Sequence, residues 1–255
     1  MKLEELKKYK RILILGYGKE GKATEQYLKK YHPGATIGIA DKSEGEDYLQ
    51  QQYDYDLIIK TPGIPKHLVK VPYTTATNIF FANKSEHVVI GVTGSKGKST
   101  TSSLIHHILY SAGLQTKLIG NIGNPALSEL YNMPSEQTYF VYELSSYQLD
   151  DIQFSPHIAV IVSLFPEHMN YHGNEKAYYD AKYNLIARAQ KNNFYVFNAE
   201  YPLLRKWTAH THAQSVPFET DFLPEQLTLI GEHNKANIRG AITVARLLNI
   251  EDKNS

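Results

Sequence analysis

The sequence predicts an α/β protein built on two mostly parallel sheets. Three observations carry that expectation. Short apolar runs alternate with amphipathic stretches along the chain, the pattern of strands joined by crossover helices and covered on both faces. Two separate glycine-rich strand–turn–helix units occur, one near residue 16 and one near residue 94. Hydrophobic residues make up 42% and charged residues 21% of the 255 positions, the balance of a chain that buries a core rather than one that stays disordered.

The elements follow in order. A strand at 11–15 runs through the first glycine turn into a helix near 19–31, and strands at 36–40 and 56–59 come next. The polar stretch 83–86 precedes the strong apolar run 88–92, so the domain boundary is placed there, giving a first domain of residues 1–84 and a second of 85–255. In the second domain, helices are expected at 98–112, 175–189 and 234–248, and strands at 116–119, 138–142, 157–161 and 194–197. The two glycine units differ in sequence, so the chain is not a repeat array. In open parallel sheets ligands sit at the carboxyl ends of the strands, which directs attention to the loops that follow them.

Composition excludes several classes. Lys plus Arg number 27 against 26 Asp plus Glu, so the net charge is +1 and there is no electrostatic case for a nucleic-acid partner. With no cysteine there can be no disulfide, thiolate metal site or cysteine nucleophile. The charged N-terminus MKLEELKKYK is no secretory signal, and no apolar run reaches the roughly 20 residues of a membrane span. A cytoplasmic location away from membranes is expected.

Residues 88–101 read VVIGVTGSKGKSTT. An apolar strand enters a turn containing Gly94, Ser95, Lys96, Gly97 and Lys98, then Ser99 and Thr100 open a helix. Backbone N–H groups of such a turn point at phosphate oxygens, and the helix N-terminus adds its positive end. Lys98 supplies charge to the outer phosphates, and Ser99 or Thr100 offers a hydroxyl to Mg²⁺. The strict G-x-x-x-x-G-K-[ST] pattern would need glycine at 92, where this chain has Val92. ATP or GTP is the implied ligand; the competing reading is a flexible turn that happens to contain GKS. Glu143 closes the strand YFVYE beside this turn and is read as a Mg²⁺ ligand in preference to a helix-capping or surface residue.

The first glycine unit, ILILGYGKEG at 12–21, contains a complete G-x-G-x-x-G at Gly16, Gly18 and Gly21, and Asp41 follows 20 positions after Gly21. That is the dinucleotide fingerprint. Its physics specifies a diphosphate at a helix N-terminus, so NAD, a UDP-sugar and a ligand-free tight turn all remain open.

Taken together, the motifs resemble the Mur ligases of peptidoglycan synthesis. The supporting pieces lie in order along almost the whole chain. ILILGYGKEG is followed by TPGIP at 61–65, GVTGSKGKSTT, GNIGNPAL at 120–127 and YELSSYQLD at 142–150. PEHMNYH at 166–172, YYDAKYNLI at 178–186 and GEHNKANIRGA at 231–241 complete the set. The resemblance implies a Rossmann-like N-terminal domain that binds a UDP-linked substrate, followed by a P-loop central domain that binds ATP. It places Gly16, Tyr17, Gly18 and Gly21 at the diphosphate, Asp41 and Lys42 near uridine, and Thr61 and Gly63 in the same site. It brings Asn121 and His168 to the muramoyl substrate or the magnesium region, Asn234 and Asn237 near adenine, and Ser99, Glu143, His168 and Lys182 to the metals.

By the same resemblance, Lys98, His168 and Lys182 act in catalysis, and Lys182 is the lysine that this family carbamoylates. By residue type alone Lys182 reads as a solvated helix lysine and His168 as a structural histidine. His106 and His107 read as ordinary helix residues. ELSSYQL points, within the family, to the member that joins D-glutamate to UDP-N-acetylmuramoyl-L-alanine. The implied reaction forms an acyl phosphate from ATP and the substrate carboxylate, which the incoming amine then displaces. A monomer is expected.

Departures from the family pattern are also present. Lys96 stands where the family commonly has Asn, and Glu167 where it often has Asp. The family's third, C-terminal domain has no counterpart, so the sequence reads as a two-domain fragment or a short relative with little turnover. The alternatives carried forward are a non-catalytic nucleotide- or UDP-sugar-binding module and an NAD-dependent oxidoreductase. The second of these leaves the GKS turn unexplained.

Overall fold

The computed structural model describes residues 1–131, 135–218 and 231–250, with the backbone alone at Glu46, Glu232 and His233. A short helix, α1 (Leu3–Leu6), leads into β1 (Arg11–Leu15), which is buried at every position after Arg11. α2 (Lys19–Tyr31) crosses back to β2 (Thr36–Ala40); β3 (Leu57–Lys60) and β4 (Tyr73–Thr75) follow. The sheet order is β2-β1-β3-β4 and every pair is parallel. β1 and β3 are covered on both faces, which is why they read as continuous apolar runs rather than alternating ones. Leu13, Leu15, Ala40, Ile58, Ile64 and Val69 form one layer of that core. The chain leaves β1 towards β2 on one side and later adds β3 on the other, so the loops after β1 and β3 meet at a topological switch point. α3 (Ala76–Asn83) is started by the Thr75 hydroxyl, which accepts from the Asn78 N–H at 3.1 Å.

β5 (Val88–Thr93) runs through the second glycine turn into α4 (Lys98–Ser111), then β6 (Thr116–Gly120), α5 (Ala126–Tyr131), β7 (Tyr139–Glu143) and α6 (Ser146–Leu149). β8 (Ile158–Ile161), α7 (Met169–His172), α8 (Glu175–Tyr183), β9 (Phe194–Phe197), α9 (Pro202–Trp207), β10 (Gln214–Pro217) and α10 (Glu232–Leu247) complete the order. The six strands, again all parallel, are arranged β10-β9-β8-β5-β7-β6. β5 is central, and the build direction reverses between it and β8. Ile90, Val92, Val141, Val160 and Val196 line up across the sheet as its core layer, against Ile105, Leu109, Ala241 and Val244 of the covering helices α4 and α10.

The described chain divides into two compact units. The first holds Met1–Glu86 together with Asn124–Ser135 and Asp151–Gln153, so α5 packs with α2 and α3. The second holds the remainder. Among the described residues no helix is long and apolar enough to cross a membrane.

Several details differ from the sequence expectation, which also lacked the short helices α1, α5, α6, α7 and α9. The helix expected over 175–189 ends at Tyr183; beyond it the chain tightens mostly into i→i+3 turns, and the Asn184 side-chain amide donates to the Leu149 carbonyl at 3.1 Å. β4 and β10 were not anticipated: one is three residues long, and the other is an edge strand with little apolar pattern, QSVP. α3 was also unforeseen, since ATNIFFAN is buried almost all round and lacks an amphipathic period.

Candidate nucleotide and metal site

The loop leaving β5 lies at the switch point of the six-stranded sheet, where the carboxyl ends of β5, β7 and β8 converge. Gly97 is the N-cap of α4 with φ +84°, a left-handed conformation that glycine adopts without strain. A Cβ there would also lie 2.2 Å from Asn237 Oδ1 of α10. The same Asn237 oxygen accepts from Thr101 Oγ1 at 3.3 Å, and its amide donates to Asn234 Oδ1 at 3.0 Å. Asn237 therefore braces the turn. No side chain caps α4, which leaves its first N–H groups directed at the mouth of the loop.

The loop is pinned from the β8 side. The Ser95 N–H donates to the Ser163 carbonyl at 3.0 Å. Ser95 Oγ donates to the Phe165 carbonyl at 2.6 Å and accepts from the Phe165 N–H at 2.9 Å. The Tyr178 hydroxyl donates to the same Ser95 oxygen at 3.0 Å. Burial pushes the Tyr178 phenol up to about 12, so it stays a donor at any physiological pH.

Three lysines surround this loop. Lys98 Nζ donates to the carbonyls of Gly94 and Ser95, both at 2.9 Å. Burial lowers its pKa, opposed by the charges of Glu143 and Glu167. Lys182, read from residue type alone as a solvated helix residue, is instead 1% exposed. Its Nζ donates to the Gly94 carbonyl at 2.9 Å and lies 4.8 Å from the centre of the Tyr178 ring. Burial first, then repulsion from Lys98, pushes its pKa down to about 7, with Glu167 pulling the other way. Much of this amine is neutral at neutral pH and so is a nucleophile. Lys96 Nζ pairs with Glu167 Oε1 at 2.8 Å.

Glu143 ends β7 opposite Val92 and is fully buried. Oε1 accepts from Asn121 Nδ2 at 2.8 Å, while Oε2 has no hydrogen-bond partner among the described residues. Gly120, at φ +104°, allows this approach: a Cβ there would lie 2.3 Å from the Glu143 carbonyl. An orphaned buried carboxylate oxygen is costly unless a cation completes it. Among the described residues no group of three or more His, Asp or Glu side chains forms a ready-made ligand set. A single carboxylate with phosphate and water fits Mg²⁺, which retains waters and accepts few protein ligands. His168 stands on the β8 loop at φ +58°, exposed, with its ring 5.0 Å from that of Tyr147. Ser99 is exposed at the start of α4.

The first glycine turn sits at the switch point of the four-stranded sheet. Two of its three glycines answer to the protein's own packing. A Cβ on Gly16 would lie 2.0 Å from Thr61 Oγ1, and one on Gly21 would lie 2.3 Å from the Gly16 carbonyl. Gly18 caps α2 with open space beside it and no side-chain cap. Asp41 accepts from the Tyr17 N–H at 2.7 Å and from Ser43 N–H and Oγ at 3.0 and 2.8 Å, and these bonds lower its pKa. Thr61 is held by its own hydrogen bonds to the Leu15 carbonyl. Lys42 is exposed, and Gly63 has open space around it.

Comparison with known proteins shows the family and the fold. Residues 92–222, just over half of the chain, match the Mur ligase middle domain. The chain belongs to the Mur ligase family. UDP-N-acetylmuramoylalanine–D-glutamate ligase of Streptococcus pneumoniae strain D39 is 32% identical, and that of Listeria innocua 30% identical, each over 99% of this chain. The chain spans 66% of the length of these relatives. Among solved structures, a UDP-N-acetylmuramate:L-alanyl-gamma-D-glutamyl-meso-diaminopimelate ligase from Neisseria meningitides shares the fold with a TM-score of 0.64 at 18% identity. That alignment covers 94% of each chain. A MurF ligase from Thermotoga maritima, solved in complex with ADP, gives a TM-score of 0.57 at 14% identity over 96% of this chain and 62% of its own.

Within this Mur ligase the structure gathers Gly94–Thr100, Lys182, Glu143, Asn121, Asn234 and Asn237 around one turn. Gly16–Gly21, Asp41 and Thr61 gather around the other, in the other unit. Sequence reasoning missed Ser163 and Tyr178, which pin the phosphate loop without being part of it. Tyr178 precedes Lys182 by one helical turn, a spacing that places both on one face of α8. That spacing could have flagged it.

Proposed function

We propose that this chain carries the nucleotide- and substrate-binding parts of an ATP-dependent amide ligase that joins D-glutamate to UDP-N-acetylmuramoyl-L-alanine. The observation that carries the reading is one turn where an open helix N-terminus, Lys98, an orphaned Glu143 oxygen and a buried, partly neutral Lys182 amine converge. The D-glutamate assignment draws on the names of the relatives at 30–32% identity and on the ELSSYQLD segment. On this reading residues 1–84 hold the UDP end of the substrate and residues 85–255 hold ATP, in the cytoplasm.

The chemistry follows from the residues. The substrate carboxylate oxygen attacks the γ-phosphorus of ATP, the bond to ADP breaks, and an acyl phosphate forms. The amine of D-glutamate then attacks the acyl carbon, loses a proton, and inorganic phosphate leaves. Backbone N–H groups of the loop and Lys98 offset charge on the transferring phosphoryl group. Mg²⁺, held by Glu143 with Ser99, would supply further charge neutralisation. The Lys182 amine can add to carbon dioxide, releasing a proton and converting a cation into a carboxylate on a long stem. His168 on its exposed loop orients the acceptor end of the substrate.

Calorimetric titration of UDP-N-acetylmuramoyl-L-alanine tests the reading, with UDP-N-acetylmuramic acid and NADH as comparisons. Saturable binding that prefers the L-alanyl form is expected. A folded chain that ignores both UDP compounds, or that binds NADH instead, would sink it.

A further inference from the structure

Lys96 stands in the phosphate loop and Glu167 in the loop that leaves β8, and the fold pairs them with each other. Lys96 Nζ lies 2.8 Å from Glu167 Oε1. They come from different loops, one leaving β5 and the other leaving β8. The backbone at 96 is fixed from both sides: its N–H donates to Ser163 Oγ at 2.9 Å, and its carbonyl accepts from the same hydroxyl at 2.8 Å. The lysine side chain beyond it is 75% exposed. Glu167 is 19% exposed, and its charge reaches beyond Lys96 to Lys98 and Lys182. This carboxylate thus pairs directly with Lys96 and adds, after Glu143, to the negative charge facing Lys98. A nucleotide polyphosphate seeks the same cations and brings more negative charge. An ion pair this exposed is weak and exchanges at little cost.

We propose that Glu167 is a built-in competitor for nucleotide phosphate: it holds Lys96 until a polyphosphate enters and then yields it. Lys96 is on this account an additional phosphate-binding residue, and Glu167 sets nucleotide affinity lower than the loop alone would give. The proposal rests on the ATP-binding reading of the loop. A purely structural strap between the two loops would act in the opposite sense, since removing either partner would loosen the loop and weaken binding.

The sign of the effect therefore decides. ADP and ATP are titrated calorimetrically, with chelator present so that no metal intervenes, into the wild-type chain and into Glu167→Gln, Glu167→Asp, Lys96→Met and the Lys96→Met/Glu167→Gln double variant. Thermal unfolding of each confirms the fold. Glu167→Gln is expected to bind about two- to fivefold more tightly, the range that an exposed pair allows. Glu167→Asp, which draws the carboxylate back by one methylene, shifts the same way by less. Lys96→Met is expected to bind more weakly, with a shallower salt dependence, and the gain from Glu167→Gln is largely lost in its background. Unchanged or weaker binding by folded Glu167→Gln, with the wild type binding normally, overturns the competitor role alone. A folded wild-type chain that binds neither nucleotide overturns the ATP reading and this proposal with it.

Discussion

At Lys182 the cost of burying a charge becomes measurable. The amine is 1% exposed and its pKa falls to about 7 from an ordinary 10.5. In that interval the unfolded chain holds the proton and the folded chain has released it. Stability should therefore rise with pH from about 7 to about 10.5, by at most about 1.4 kcal/mol per pH unit. Below about 7 both states are protonated and the burial cost is present in full. Lys182→Met removes the titrating group and keeps an unbranched buried side chain. Urea unfolding from about pH 6 to about pH 9, in buffers stripped of carbon dioxide, should show the wild type gaining on this variant as pH rises. Parallel curves would mean that the amine is not held in a desolvated site. Glu143 gives a second test. With Oε2 unpartnered beside Lys98, Glu143→Gln should abolish the gain in ADP affinity on adding Mg²⁺ while leaving metal-free binding equal or tighter. Undiminished magnesium dependence would remove Glu143 from the metal site.

The elements hold these residues by contacts that only the folded chain reveals. β3 ends in Lys60, wholly buried, whose Nζ lies 2.6 Å from Asp151 Oδ2 and donates to the Ile64 carbonyl at 2.8 Å. The Tyr73 hydroxyl donates to the other Asp151 oxygen at 2.8 Å. This pair ties the segment after α6 to the carboxyl end of β3, next to Thr61. Removing one partner leaves a buried charge, so Lys60→Met should cost about 3–5 kcal/mol, and Lys60→Met/Asp151→Leu should recover much of it. Equal losses in urea unfolding for the single and double variants would show that no such coupling exists.

Gly97→Ala should weaken ADP binding as well as stability, because the new Cβ meets Asn237 at 2.2 Å in a left-handed conformation. Intact ADP affinity in that variant would show the turn to be indifferent to its geometry. The glycine turns, the central strands and Glu143 were legible because each is local: an apolar run, a turn residue, a carboxylate at a strand end. The Lys60–Asp151 pair, the Ser163 brace and the burial of Lys182 were not. Each joins residues far apart in sequence, and a lysine on a helix shows no periodic sign of which way it points. β10 escaped notice because an edge strand needs little apolar pattern.

Across the whole molecule two glycine turns occupy two switch points in two separate sheets, and their chemistry differs. The first offers an uncapped α2 N-terminus beside Gly18, with Asp41 at the turn. On the proposed reading it takes one diphosphate approached closely by backbone. The second carries Lys98 and Lys182 on its own carbonyls and an orphaned carboxylate nearby, which on the proposed reading serve a longer phosphate chain with a metal. The two turns should therefore select different nucleotides without competition. Hydrogen exchange reads both at once, because bound phosphate protects the backbone N–H groups that point at it. UDP-N-acetylmuramoyl-L-alanine should slow exchange over residues 16–22, and ADP with Mg²⁺ should slow it over residues 94–101. Each should act on its own turn when the other is saturated. Protection of both turns by ADP alone, or protection of residues 16–22 by NADH but not by the UDP compound, would reassign the first turn to a dinucleotide and leave only the second to the ligase reading.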